Sequence, residues 1–181
     1  EEARDQFAEL LGAFSALPRA AVLIGGNSKT HKITPEIMRK LAKQLYDLEA
    51  NLMITTSRRT GEANIKILKE VLADRPENNG TTYIWDNEGE NPYFGMLAWA
   101  DHIIVTADSV SMVSDAGTAG KPVRLIPLEG SSSRFDRLHG HMEEIGVLMG
   151  FNGNLRPWTY EPLTDAMKIA DKIRAELGIT S

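Results

Sequence analysis

Apolar positions in this chain recur with two different periods. Five short runs, at 20–24, 52–56, 82–85, 102–105 and 123–126, are almost continuously apolar or β-branched. Such runs predict strands buried on both faces of a parallel sheet. Between them the apolar residues return every three to four positions, the spacing of a helix with one buried face. Phe7, Leu10, Leu11, Phe14 and Leu17 make the first stripe, ended by Pro18. Thr34 is placed to cap a second helix with Pro35 at its first position and Ile37, Leu41, Leu45 and Leu48 inward. Thr60 is placed to cap a third, burying Ile67, Leu68, Val71 and Leu72. A short helix over 93–100 feeds the fourth strand.

After that strand, Asp108, Ser109 or Ser111 can cap a helix that carries Val113 and Ala116 and stops at Gly120 and Pro122. A serine run at 131–133 precedes a helix with Phe135, Leu138, Met142 and Ile145 inward, stopped by Gly146. Residues 150–162 read as irregular, with Trp158 and Tyr160 tucked onto the body. A last helix is expected to bury Ala166, Ile169, Ile173 and Leu177 and to stop at Gly178. The βαβαβαβαβα order implies an α/β fold: a doubly wound, Rossmann-like parallel sheet with strand order 3-2-1-4-5. In that order strands one and four meet at the switch point, where ligands bind.

Composition narrows the chemistry. The 181 residues suit a single domain over 1–181. A hydrophobic fraction of 42% and a charged fraction of 25% are ordinary for a globular protein. The net charge of −5 argues against nucleic acid as a partner. There is no cysteine, which excludes disulfides and thiolate metal sites and fits a cytoplasmic protein. No apolar run reaches the roughly 20 residues that span a bilayer. No His and carboxylate spacing suggests a metal. The chain opens within a helical stripe, without an initiator Met, and is expected to be part of something longer.

Against the acidic total, three loops at the carboxyl edge of the sheet are basic, while the loop after strand three, with Asp86, Glu88 and Glu90, is the acidic exception. Lys29, His31 and Lys32 follow Gly25-Gly26-Asn27-Ser28; Arg58 and Arg59 follow strand two; Arg134 and Arg137 follow strand five. Arginine forks suit phosphate oxygens. The helix opening near Ser109 offers free N–H groups to an anion, and Ser111 and Asp115 lie four apart on one of its faces. The two glycines let backbone approach a ligand, or else they only make a turn. A phosphate at the turn and a sugar hydroxyl at Asp115 would suit a nucleotide. Trp85 could flank a base, although a packing role is the more natural reading. His139 and His141 are expected to be solvated.

The run WADHIIVTADSVSMVSDAGTAGKPV at 99–123 resembles the donor-binding half of GT-B glycosyltransferases. On that resemblance Asp115 takes the place of an acidic residue that holds the nucleotide ribose, one methylene shorter. Gly25 and Gly26 match the loop near the donor phosphates, and Glu90-Asn91 the segment near the base. TTSRRTGEANIKIL at 55–68 and RFDRLHGHMEEIG at 134–146 are similar to the plant "elongated mitochondria" fission factors and their bacterial relatives, labelled predicted nucleoside-diphosphate-sugar epimerases. Where these have Ser-Gly after strand four, this chain has Asp108-Ser109, a carboxylate beside the expected phosphate unless Asp108 turns away as the helix cap.

The resemblance implies the C-terminal half of a two-domain protein that binds a nucleotide-diphosphate sugar without chelated metal or other cofactor. A lipid or membrane-surface acceptor and any general base would belong to the N-terminal half, leaving this chain inactive alone. An epimerase on the same fold, with His139 or Asp136 at the sugar, and a non-catalytic interaction module are the alternatives.

Overall fold

The computed structural model describes residues 2–14, 16–85, 87–161 and 163. Its strands are β1 (Arg19–Ile24), β2 (His31–Lys32), β3 (Asn51–Thr56), β4 (Thr82–Ile84), β5 (His102–Thr106), β6 (Val123–Ile126), β7 (Glu129–Gly130) and β8 (Leu148–Gly150). Its helices are α1 (Glu2–Gln6), α2 (Ala8–Leu11), α3 (Pro35–Tyr46), α4 (Glu62–Leu72), α5 (Tyr93–Trp99), α6 (Val110–Thr118) and α7 (Ser133–Glu144).

Six strands form one parallel, Rossmann-like sheet in the order β4-β3-β1-β5-β6-β8. The expected 3-2-1-4-5 order is present as its first five strands. Side chains alternate between two cores, as the strand period of two requires. Ala21, Leu23, Met53, Ile103 and Val105 pack under α5, α6 and α7. Ala20, Val22, Ile54, Ile104 and Ile126 pack under α3 and α4. Both faces are therefore dry, which is why these strands read as unbroken apolar runs.

Local signals explain most of the helix ends. Thr34 accepts from the Ile37 N–H with Pro35 in the first turn, and Gly120 has φ +67° just beyond α6. Ser109, one of the three candidates, caps α6 by accepting from the Met112 N–H.

Four expectations are corrected. The first stripe does not form one helix: α1 and α2 are short, Phe7 and Leu11 are buried, and Leu10 stays 42% exposed. Thr60 does not cap α4. It is fully buried, and Gly61 occupies the cap position without a side-chain bond. Ile145 lies just past α7 and is 44% exposed. Leu148–Gly150, expected to be loop at its end, pairs with β6 as a sixth strand, and a two-residue ladder joins β2 to β7.

Trp158 and Tyr160 do tuck in. The Trp158 indole donates to Gly146 O at 2.8 Å and its ring lies 4.4 Å from the Arg124 guanidinium. The Tyr160 hydroxyl donates to Lys121 O at 2.9 Å. The helix expected over 166–178 lies outside the described residues. No helix among the described residues is long and apolar enough to cross a membrane.

Candidate functional site

β1 and β5 are paired from Ala20↔His102 to Leu23↔Val105, so the loops that follow them emerge side by side at the switch point. A buried carboxylate ties the two loops together. Asp108, its side chain wholly enclosed, accepts from the Thr106 hydroxyl at 2.6 Å, the Gly26 N–H at 2.9 Å and the Arg59 guanidinium at 3.3 Å. Thr106 accepts in turn from the Gly25 N–H at 2.8 Å. The Asn27 N–H donates to Arg59 O at 3.0 Å, and the Thr60 hydroxyl donates to Gly25 O.

This knot accounts for both glycines. A Cβ at Gly25 would fall on the Asp108 carboxylate, and one at Gly26 on the backbone of Arg59. The N–H groups of Gly25, Gly26 and Asn27 are thus spent on partners within the chain. Asp108 turns neither toward a ligand nor onto the helix as its cap; it faces the glycine loop. Arg59, half exposed, is its ion-pair partner.

Next to the knot, a cleft of about 300 Å³ opens over the ends of β1, β3 and β4. Its walls are Ile24, Thr55, Thr56, Ser57, Arg58, Trp85, Asn87, Asn91, Tyr93 and Met112. Ser57 caps the 3-10 turn Arg58–Thr60 and so sets the direction of Arg58. Arg58 is exposed and makes no ion pair or hydrogen bond among the described residues. Trp85 is steadied by its indole N–H on Glu88 O at 2.9 Å. The Tyr93 hydroxyl donates to Asp115 Oδ2 at 3.0 Å. Burial, helped by the Asp115 charge and this bond, pushes the Tyr93 phenol well above its ordinary pKa, so it remains a protonated donor.

The structure therefore sorts the residues singled out from sequence. Arg58 and Asn91 wall the cleft, and Asp115 reaches it through Tyr93. Ser109 and Ser111, their hydroxyls 3.2 Å apart, sit at the opening of α6. Ser28 closes the turn of the glycine loop by accepting from the His31 N–H at 3.0 Å, and Asn27 Oδ1 accepts from the Ile33 N–H at 3.0 Å. Lys29 is exposed at that loop's tip, and Arg134 is exposed in the first turn of α7; neither walls the cleft. Glu90 is exposed and accepts from the Gln6 amide.

His139, expected to be solvated, is only 8% exposed. Its ring lies edge-on to Phe135, whose other neighbour is His31 at 4.9 Å. Burial lowers its pKa, with Asp136 acting upward and His31 downward. Tyr93, Thr106 and Thr60 were not singled out as site residues. No local spacing marks Tyr93, because its partner is 22 positions away.

Comparison with known proteins places these observations. The family described as mitochondrial fission ELM1 matches residues 1–177. The mitochondrial fission protein ELM1 of Arabidopsis thaliana is 34% identical over 175 residues, covering 91% of this chain and 40% of that protein. An uncharacterized protein of Rickettsia prowazekii (strain Madrid E) is 33% identical over 171 residues, covering 88% of this chain and 47% of its own length. This chain thus spans under half the length of these relatives. Among solved structures, MurG of Acinetobacter baumannii superposes with a TM-score of 0.51 at 18% identity, over 88% of this chain and 44% of that one. The spinosyn forosaminyltransferase SpnP gives 0.52 at 17%, over 94% and 42%. Both are GT-B glycosyltransferases, and at these identities the likeness is one of fold.

Proposed function

From the premise that this chain belongs to the mitochondrial fission ELM1 family, we propose that it is the donor-binding domain of a GT-B glycosyltransferase-like protein, holding a nucleotide-diphosphate sugar. The observation that carries the reading is the cleft at the carboxyl edge of the sheet. It combines one uncommitted guanidinium, Arg58, with an aromatic face, Trp85, and with amide and hydroxyl groups at Asn91 and Tyr93. That set matches the parts of a nucleotide: cation for phosphate, ring for base, hydrogen-bonding groups for sugar.

The opening of α6 beside Ser109 adds a partial positive charge at the phosphate end. The glycine loop contributes shape only, since its N–H groups are engaged. Among the described residues the cleft wall contains neither His139 nor Asp136, the residues expected at the sugar of an epimerase. The acceptor, on this reading, binds to a part of the protein outside this chain.

The test is calorimetric titration of the full-length protein with a panel of nucleotide-diphosphate sugars and the free diphosphates. We expect saturable binding of at least one, weakened about tenfold by Arg58→Ala, the loss of one charge-assisted contact. No binding to any of them at millimolar concentration would overturn the proposal.

A second reading, a non-catalytic interaction module, draws on the engaged N–H groups of Gly25, Gly26 and Asn27. It expects Arg58→Ala and Asp115→Ala to leave cellular complementation intact, whereas the donor-binding reading expects both to impair it.

A further inference from the structure

Tyr93 lines the cleft with its hydrogen already committed. The hydroxyl donates to Asp115 Oδ2 over 3.0 Å, and the residue is fixed from both sides. Its N–H donates to Asn91 Oδ1 at 3.0 Å, and its ring meets that of Phe94 edge-on with centroids 5.1 Å apart. Asp115 is partly buried behind it and is not part of the cleft wall. Thr118 steadies that turn of α6 by donating to Asp115 O at 2.7 Å.

A phenol that donates to a carboxylate keeps its oxygen lone pairs and has no hydrogen left to give. Donation also polarises the oxygen and makes it a better acceptor. The raised pKa of Tyr93 keeps that arrangement at every physiological pH.

Resting on the reading of the cleft as a nucleotide site, we propose that Tyr93, not Asp115, is the group that reads the sugar of the nucleotide, accepting a hydrogen bond from a ribose hydroxyl and so selecting ribonucleotides over their deoxy counterparts. Asp115 is the positioning residue: it takes the phenolic hydrogen and turns the oxygen into an acceptor only. An acceptor-only wall makes a definite demand, because the ligand itself must bring an O–H. A hydrogen atom or a methoxy group at that position offers the Tyr93 oxygen no donor from the ligand.

The experiment titrates the full-length protein with a ribonucleoside diphosphate and with its 2′-deoxy and 3′-deoxy forms. Wild type is expected to bind the ribose form about tenfold more tightly than one of the deoxy forms, the worth of one hydrogen bond. Tyr93→Phe should bind the ribose form as weakly as wild type binds that deoxy form, and should no longer tell the two apart. Asp115→Ala should reduce the same ratio, because the freed phenol can turn its hydrogen toward the ligand. A purely structural role for either residue would lower all affinities together and leave the ratio unchanged.

If wild type binds but does not discriminate, or Tyr93→Phe discriminates as wild type does, this proposal falls and the nucleotide site stands. If wild type binds none of these nucleotides at millimolar concentration, both fall. Melting temperatures accompany each titration. Should Tyr93→Phe fail to fold, Asp115→Ala carries the comparison, and an unchanged ratio there overturns the proposal.

Discussion

Removing the buried carboxylate of Asp108 should unpick the join between the loops after β1 and β5. Asp108→Ala deletes the acceptor of the Gly26 N–H at 2.9 Å and of the Thr106 hydroxyl at 2.6 Å, both in the interior. A buried donor left without a partner costs roughly 1–3 kcal/mol. The third partner, Arg59, is 49% exposed and regains water when released, so it adds little. The sum is about 3 kcal/mol, with the emptied space adding to it.

In a domain of this size each kcal/mol shifts Tm by about 2–4 °C, so a fall of roughly 6–12 °C is expected. Urea unfolding followed by circular dichroism gives the free energy, and calorimetry the Tm. Arg59→Ala is the control and should cost less than Asp108→Ala, since the two buried donors keep their acceptor. Asp108→Asn retains one acceptor oxygen and should fall between the two. A loss under about 1 kcal/mol for Asp108→Ala, or an equal loss for Arg59→Ala, would refute the picture of a carboxylate that holds two loops together.

Two glycines should respond in opposite directions. Gly25→Ala pushes a methyl group into the Asp108 carboxylate and should cost about 1–3 kcal/mol, whereas Gly140→Ala meets nothing within 4 Å inside α7 and should add about 0.5–1 kcal/mol. Thermal melts of both variants check this, and a destabilised Gly140→Ala would count against it. Acid should weaken the fold through its buried histidines. Burial lowers the pKa of His139 and His102 below their ordinary 6.5, so below that pH the unfolded chain takes up protons that the folded chain refuses. Stability should be level above pH about 6.5 and fall as the pH drops toward the folded-state values, by at most about 1.4 kcal/mol per pH unit for each histidine. Urea midpoints at neutral and mildly acid pH should show a smaller acid loss in His139→Phe than in wild type, and an equal loss would refute the assignment.

β1, β3, β5 and β6 were legible because burial on both faces leaves unbroken apolar runs. β8 was not: Leu148–Gly150 is three residues just past Gly146, and only its register against β6 makes it a strand. Leu10 and Phe14 obey helical spacing, yet α2 stops at Leu11 and Leu10 has no surface to cover it. The switch point itself followed from topology, which brings the loops at residues 25 and 108 together whatever their composition.

What the side chains do there could not be read along the chain. Asp108 sits next to a helix start, where capping is the local option, but the Gly26 N–H and the Arg59 guanidinium reach it from other loops and Ser109 takes the cap. Asp115, expected to hold a sugar hydroxyl, has Tyr93 as an internal partner. In each case the deciding contact joins segments distant in sequence, and local spacing carries no trace of it.

The bonds that close the glycine loop join residues 81 and 82 positions apart. At about 5–20 residues per second of synthesis, Asp108 leaves the ribosome roughly 4–16 s after Gly26. In that interval β1 can pair with β3, and β3 with β4, while α3 and α4 cover one face. Its opposite edge stays bare, and the loop at residue 25 has no carboxylate to settle on. The central strand of the finished sheet is therefore an edge strand during synthesis, with all the hazards of one. A nascent chain of this protein is open to mispairing, and to capture by chaperones, along β1 until residue 108 has emerged.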